Sequence, residues 1–181
     1  MDEVNAYIAS VLLAKQVKKA IEFGSCTGKT LAFVKNFCDV IGIDISSTFV
    51  SGCRKRGLKA TVGDICTYKD KEKYDLVYTH GCLIHVNHKL IRNAIKNAMS
   101  FAPYGIFIES SANEEKGDTA YDAKKYWEHR AKFPGKENDL PMQYYFSHDY
   151  EKIFNEMHFK CQVIREFDGY TKTRMYGVCR E

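Results

Sequence analysis

Proline is scarce, with three in 181 residues, and tryptophan occurs once; no Pro-, Gly- or Ser-rich stretch reads as a linker. Charge of one sign is missing too: 27 Lys and Arg stand against 23 Asp and Glu, a net +4 spread along the chain. The basic clusters (Lys18-Lys19, Arg54-Lys55-Arg56, Lys124-Lys125) are short and read as solvated surface, so a nucleic-acid partner is not expected. No apolar run is long enough to cross a bilayer. The longest near the start, residues 8–14, contains Ser10 and follows an acidic rather than a basic segment, so neither a membrane partner nor a signal peptide is expected. The seven cysteines form no Cys-x-x-Cys pair and are odd in number. That argues against a disulfide framework and a zinc knuckle, and for reduced thiols in a cytoplasm. A composition 45% hydrophobic and 28% charged excludes disorder and suits one domain over 1–181 with one sizeable core.

Apolar spacing then divides the chain. Val4, Tyr7, Ile8, Val11 and Leu12 fall on one helical stripe. Short apolar runs follow at 20–23, 40–45, 59–62, 74–79 and 106–108, each reading as a buried strand. Helical segments are expected between them, at 28–36, from the Ser46-Ser47 N-cap to Gly57, and at 87–99. Only the 64–73 crossover is too short for more than a degenerate helix. Strands that are apolar throughout and alternate with helices imply a parallel sheet covered on both faces, a doubly wound α/β fold. Near the end, Ser147 is expected to cap a helix. Residues 161–167 and 174–179 read as an antiparallel hairpin turning at Asp168-Gly169, which completes a seven-stranded sheet. Residues 110–146, polar and aromatic with the sole Trp127, form an insertion expected to serve as a substrate cap.

The chemistry-bearing residues gather at strand ends. Glu22-Phe23-Gly24-Ser25-Cys26-Thr27-Gly28 lies where the first strand turns into a helix, and glycines there let a ligand approach the backbone. Asp44 closes the second strand twenty residues after Gly24, where a carboxylate can accept both ribose hydroxyls; Asp64 follows the third strand, placed to meet an adenine edge. Either aspartate alone could simply cap the segment after it. Together with Gly24 and Gly28 they favour a nucleoside cofactor at the carboxyl edge of the sheet.

These segments resemble the class I S-adenosylmethionine-dependent methyltransferases along nearly the whole chain. AIEFGSCTG is similar to that family's first motif, VIGIDIS to its second-strand motif, TVGDI to its third and YDLVYTHGCLIHV to its fourth. The GCLIHV ending resembles small methyltransferases associated with pseudaminic acid biosynthesis. The resemblance implies a Rossmann-like, mostly parallel seven-stranded sheet and S-adenosyl-L-methionine as cofactor. It also implies that Glu22, Gly24, Ser25 and Gly28 line the methionine and ribose portion and that Asp44 holds the ribose with Ile45 beside the adenine. Asp64 and Ile65 would meet the adenine edge, with His80 and Gly81 at the methionine end. Cys26 departs from the pattern, adding a side chain where the turn is usually kept small; it reads as a filler and not a nucleophile.

Two other motifs compete. Gly24 to Thr30 ends in GKT like a phosphate loop, but three residues separate its glycines where four are needed. His80, His85 and His88 have no Cys or carboxylate near in sequence to complete a metal site, so no metal is expected. Methyl transfer asks the protein to align the acceptor and exclude water, with a base only where the acceptor must lose a proton. His85 is the first candidate base and His80 the second, although His85 could equally pack under the sheet. Tyr121, Lys124, Trp127, His129 and Arg130 are expected to recognise a small acceptor, such as a sugar or sugar nucleotide. A non-catalytic cofactor-binding module remains the alternative from another class, and a nucleotide kinase the third.

Overall fold

In a computed structural model of the protein, residues 3–110, 117–122, 142–167 and 173–180 are described. The chain runs α1 (Glu3–Ala14), β1 (Lys19–Phe23), α2 (Lys29–Val34), β2 (Asp39–Asp44), α3 (Ser47–Lys55), β3 (Ala60–Val62) and β4 (Leu76–His80). A 3-10 turn (Leu83–His85) leads to α4 (Ile91–Ala98), β5 (Tyr104–Ser110), β6 (Thr119–Asp122) and β7 (Met142–Tyr145). The helix α5 (Tyr150–Glu156) and the strands β8 (Phe159–Phe167) and β9 (Thr173–Arg180) follow.

Seven strands form one sheet in the order β3-β2-β1-β4-β5-β9-β8. β1 to β5 are parallel, whereas β9 runs antiparallel to both β5 and β8. The expected doubly wound sheet with a reversed closing hairpin is therefore what forms, while the hairpin turn lies outside the described residues. The strands are apolar throughout because both faces are covered. On one face Ile21, Phe23, Val77 and Phe107 pack under α4 and α5; on the other Ala20, Leu76, Tyr78 and Ile106 pack under α1, α2 and α3. Each fully buried large aliphatic side chain contributes about 1.5–3 kcal/mol. Among the described residues no helix is long and apolar enough to cross a membrane.

Three local outcomes sharpen the expectation, and one of them, the cap of α5, corrects it. The 64–73 crossover forms turns: Asp64 Oδ1 accepts the Cys66 N–H, and the Asp64 carbonyl accepts the N–H groups of Thr67 and Tyr68. α5 is capped by Asp149, whose Oδ1 accepts the Lys152 N–H at 3.0 Å. Ser147 lies too early for that role, and its own N–H is committed to Asp118 Oδ1 at 2.9 Å. Within 110–146, Thr119–Asp122 and Met142–Tyr145 pair as a separate two-stranded antiparallel sheet.

Candidate functional site

The order in which strands are added reverses between β1 and β4: from β1 the connections wind to β2 and β3, then cross back to β4 on the other side. Such a switch point opens a crevice at the carboxyl ends of the strands. The ladders bring those ends level, Phe23 with Ile43 and Thr79, and Asp44 with Val62. The loops carrying Gly24, Ile45, Asp64 and Gly81 thus share one rim.

The glycine loop is a closed piece of backbone. Gly24 (φ 75°) and Gly28 (φ 72°) adopt left-handed conformations, and a Cβ on Gly24 would lie 2.6 Å from the Cβ of Cys82. The space at Gly24 is therefore used to seat this loop against the turn after β4. Cys26 is also left-handed (φ 47°), so the loop keeps a glycine-like path at a residue with a side chain. Its N–H donates to Asp44 Oδ2 at 2.7 Å, while Asp44 Oδ1 accepts the Ser46 N–H at 2.9 Å. Asp44 thus fastens the loop to the start of α3. Burial and the neighbouring Asp44 carboxylate push the Cys26 thiol up to about 12, so it stays protonated and is no nucleophile at neutral pH.

Of the residues read as lining the cofactor, Gly24, Gly28, Asp44, Ile45, Asp64, His80 and Gly81 stand along this rim. The Ile45 side chain is exposed beside the exposed Val62. A Cβ on Gly81 (φ 66°) would meet no atom within 4 Å. Three side chains instead face inward. Strand alternation turns Glu22 into the α1–α3 layer, where it accepts the Tyr78 hydroxyl at 3.2 Å; desolvation raises its pKa well above the usual carboxylate value. Ser25 is buried over Gly42. Ile65 is buried in the opposite layer, and its carbonyl accepts the Asn97 amide at 2.9 Å. Only the backbone of these residues is placed to serve the rim.

The rim's chemistry fits a nucleoside with an amino-acid tail. Asp44 and Asp64 present acceptors for hydroxyls and an exocyclic amine, Ile45 and Val62 offer apolar surface for a base, and Gly81 leaves room beside the first loop. Asp64, Asp44, Gly24 and Gly81 follow one another along the strand order.

The two candidate bases occupy different surroundings. His80 is exposed at the end of β4, with Nδ1 3.4 Å from the Thr30 hydroxyl. His85 ends the 3-10 turn and meets β7: its Nδ1 lies 2.8 Å from the Tyr144 carbonyl, and its ring centroid 4.9 Å from that of Tyr145. It therefore packs against the insertion, not under the sheet. A carbonyl only accepts, so Nδ1 carries the proton and Nε2 keeps its lone pair. Desolvation by the surrounding chain lowers the His85 pKa, which favours this neutral form. Further out, His88 Nε2 lies 2.9 Å from Asp118 Oδ2, and His148 Nε2 is 2.7 Å from the Val86 carbonyl, so the insertion's base is tied to the same turn. Among the described residues no group of three or more His, Cys, Asp or Glu could hold a metal ion.

Of the residues expected to recognise an acceptor, Tyr121 lies on β6 in register with Gln143; Lys124, Trp127, His129 and Arg130 lie outside the described residues. Sequence reasoning missed Glu109, a wholly buried carboxylate near the end of β5. Its signal was present in IFIES, an apolar strand closing on an acid as the second strand closes on Asp44.

A family model described as a methyltransferase domain matches residues 20–102, from β1 through α4 and its flanks. Among curated proteins nothing matches the chain by sequence. Solved structures do match. An S-adenosylmethionine-dependent methyltransferase from Clostridium acetobutylicum superposes with a TM-score of 0.70 at 12% identity, covering 97% of this chain and 90% of that one. A magnesium protoporphyrin IX methyltransferase from Synechocystis, with bound S-adenosylhomocysteine, gives 0.69 at 15% identity, with 99% and 83% covered. A sugar N-methyltransferase from a Streptoalloteichus species gives 0.70 at 10% identity, with 98% and 87% covered. Identities this low speak for the fold.

Proposed function

We propose that the chain is a class I S-adenosylmethionine-dependent methyltransferase that methylates an oxygen or nitrogen of a small molecule, a sugar or sugar nucleotide; the methyltransferase-domain model matched from β1 through α4 supports this reading. The observation that carries this reading is His85, its Nδ1 bonded to the Tyr144 carbonyl so that Nε2 keeps its lone pair, standing between the rim after β4 and the aromatic residues of β7. There an acceptor enclosed by the insertion would meet a neutral base. The stacked Tyr144 and Phe146 rings, 6.0 Å apart, offer flat apolar surface nearby, of the kind on which sugar C–H faces pack. The likeness to a sugar N-methyltransferase fold points the same way.

In this reading residues 1–181 act as one methyltransferase domain whose 110–146 insertion covers the acceptor. Asp44 accepts from the ribose hydroxyls, Ile45 and Asp64 serve the adenine, and Gly24, Gly28, His80 and Gly81 surround the methionine end. When bound, the cofactor supplies a methyl group on a sulfonium, with a neutral thioether as leaving group. The chain's own work is alignment and exclusion of water. His85 Nε2 takes the proton of an acceptor hydroxyl or ammonium, and its depressed pKa keeps that nitrogen available at neutral pH. Tyr121, Lys124, Trp127, His129 and Arg130 recognise the acceptor; Lys124 and Arg130 suit an acidic one.

Calorimetric titration with S-adenosylhomocysteine beside ATP and NAD tests the cofactor placement: only the first is expected to bind. Loss of that binding in Asp44→Ala, with fold retained, is expected; undiminished affinity would remove Asp44 from the site. A panel of sugars and sugar nucleotides tests the acceptor class. With the acceptor found, His85→Ala is expected to lose a factor of about 10²–10⁴ in kcat; full turnover would remove His85 from the mechanism.

A further inference from the structure

Glu109 is the penultimate residue of β5, wholly buried, and the reaction as proposed gives it no part. Its Oε1 accepts the Thr79 hydroxyl at 2.6 Å and the Cys82 N–H at 3.2 Å, and its Oε2 accepts the Ile84 N–H at 3.2 Å. Thr79 is the last buried residue of β4. Cys82 and Ile84 belong to the turn that begins at Gly81 and ends at His85. The same turn presses Cys82 against Gly24 of the first loop. One carboxylate therefore gathers three donors from the two sides of the segment that joins the cofactor rim to the candidate base.

We infer that Glu109 is a positioning residue: by accepting from Thr79, Cys82 and Ile84 at once, its carboxylate sets the 81–85 turn against the methionine end of the cofactor site. The inference rests on the placement of that end at His80 and Gly81. The ionised form holds the turn more tightly. A protonated carboxyl is accommodated by rotating the Thr79 hydroxyl into an acceptor, but its Oε1 is then a poorer acceptor for the Cys82 N–H and its bond to Ile84 loses charge assistance.

The surroundings make ionisation costly. Facing or near Glu109 are the Cys82 thiol in the turn, Tyr150 on α5 and Tyr176 on β9, all neutral groups. The Tyr150 hydroxyl is buried with no hydrogen-bond partner among the described residues. Asp44 on β2 adds negative charge around Cys82, while Glu22 on β1 is itself held toward its neutral form by burial. Arg174, directly across from Glu109 on β9, is occupied by Glu151 and Glu166. Burial accordingly pushes Glu109 up to about 7, against the pull of the Thr79 hydroxyl and the backbone N–H groups of Leu83, Cys82 and Ile84. The turn is held above neutrality and relaxes below it.

The test is calorimetric binding of S-adenosylhomocysteine to the full chain from pH 6 to pH 8.5, with thermal melting to verify the fold of each variant. Wild-type affinity is expected to fall about tenfold as pH drops from 8 to 6. Glu109→Gln is expected to bind about tenfold more weakly at pH 8, with an affinity flat across the range, because the amide donates where a backbone N–H already donates. Thr79→Val deletes one donor while keeping volume, so it is expected to move the midpoint of the profile upward. That variant decides the matter should Glu109→Gln fail to fold. A profile unchanged in Glu109→Gln and unmoved in Thr79→Val overturns the inference and leaves the cofactor site standing. Absence of binding by the wild type at every pH overturns both.

Discussion

Cys26 sits in left-handed backbone that costs an L residue about 1–2 kcal/mol. Bonds at both its ends hold it there: its N–H to Asp44, and its carbonyl to the Cys53 thiol at 3.3 Å. Glycine would relieve the strain and add backbone freedom to the unfolded chain, two effects of similar size and opposite sign. Cys26→Gly is therefore expected to keep unfolding free energy within ~1 kcal/mol of wild type, and S-adenosylhomocysteine binding within about twofold. Cys26→Val, β-branched and barred from this region, is expected to lose about 1–3 kcal/mol in urea unfolding. The residue-scale reading of the sequence found the rim residues, because glycine spacing and a strand-ending acid are local signals. It could not tell which side chains turn inward. Glu22, Ser25 and Ile65 face the core because of strand pairing and of Asn97, thirty-two residues from Ile65, which no local pattern reports.

The elements owe their legibility to burial. A parallel strand covered on both faces must be apolar throughout, so β1, β2 and β4 announce themselves, and Ser46 marks the start of α3 by accepting the Phe49 N–H at 3.3 Å. The insertion's pair, β6 and β7, had no such signal, since its ladder joins segments about twenty residues apart without a continuous apolar run. At α5 three polar residues compete for the cap, and the geometry selects Asp149, whose carboxylate also complements the helix N-terminus. Asp149→Ala is expected to cost about 1 kcal/mol in chemical denaturation. The effect reaches the core because Phe154 of α5 is fully buried against Tyr176 and Phe107.

For the whole molecule, stability responds to pH with opposing signs. Glu109, raised when folded, contributes stability that is fully present below its ordinary pKa near 4.5 and is lost as pH rises through about 7. His85 and His148, both lowered chiefly by desolvation, contribute stability present above 6.5 and lost as pH falls. The carboxylate can be isolated by difference. The melting temperature of Glu109→Gln minus that of wild type is expected to rise by several degrees from pH 5 to pH 8, read by scanning calorimetry; a constant difference would contradict the buried titration. A group that destabilises the ground state in the range where it organises a site is a known way for local strain to persist.

The central ladder of the sheet joins Ala20 to Leu76 and Phe23 to Thr79, across four intervening elements, two of them strands already wound to one side. Loop closure of that span precedes any reward from its hydrogen bonds, so the β1–β4 seam is expected to be a late and rate-limiting event in folding. The glycine loop and the turn after β4 both lie at the carboxyl end of this seam. The crevice between them thus comes into existence only when the chain's slowest stitch is made, and a nucleoside that settles there can hold the finished product without hastening its assembly.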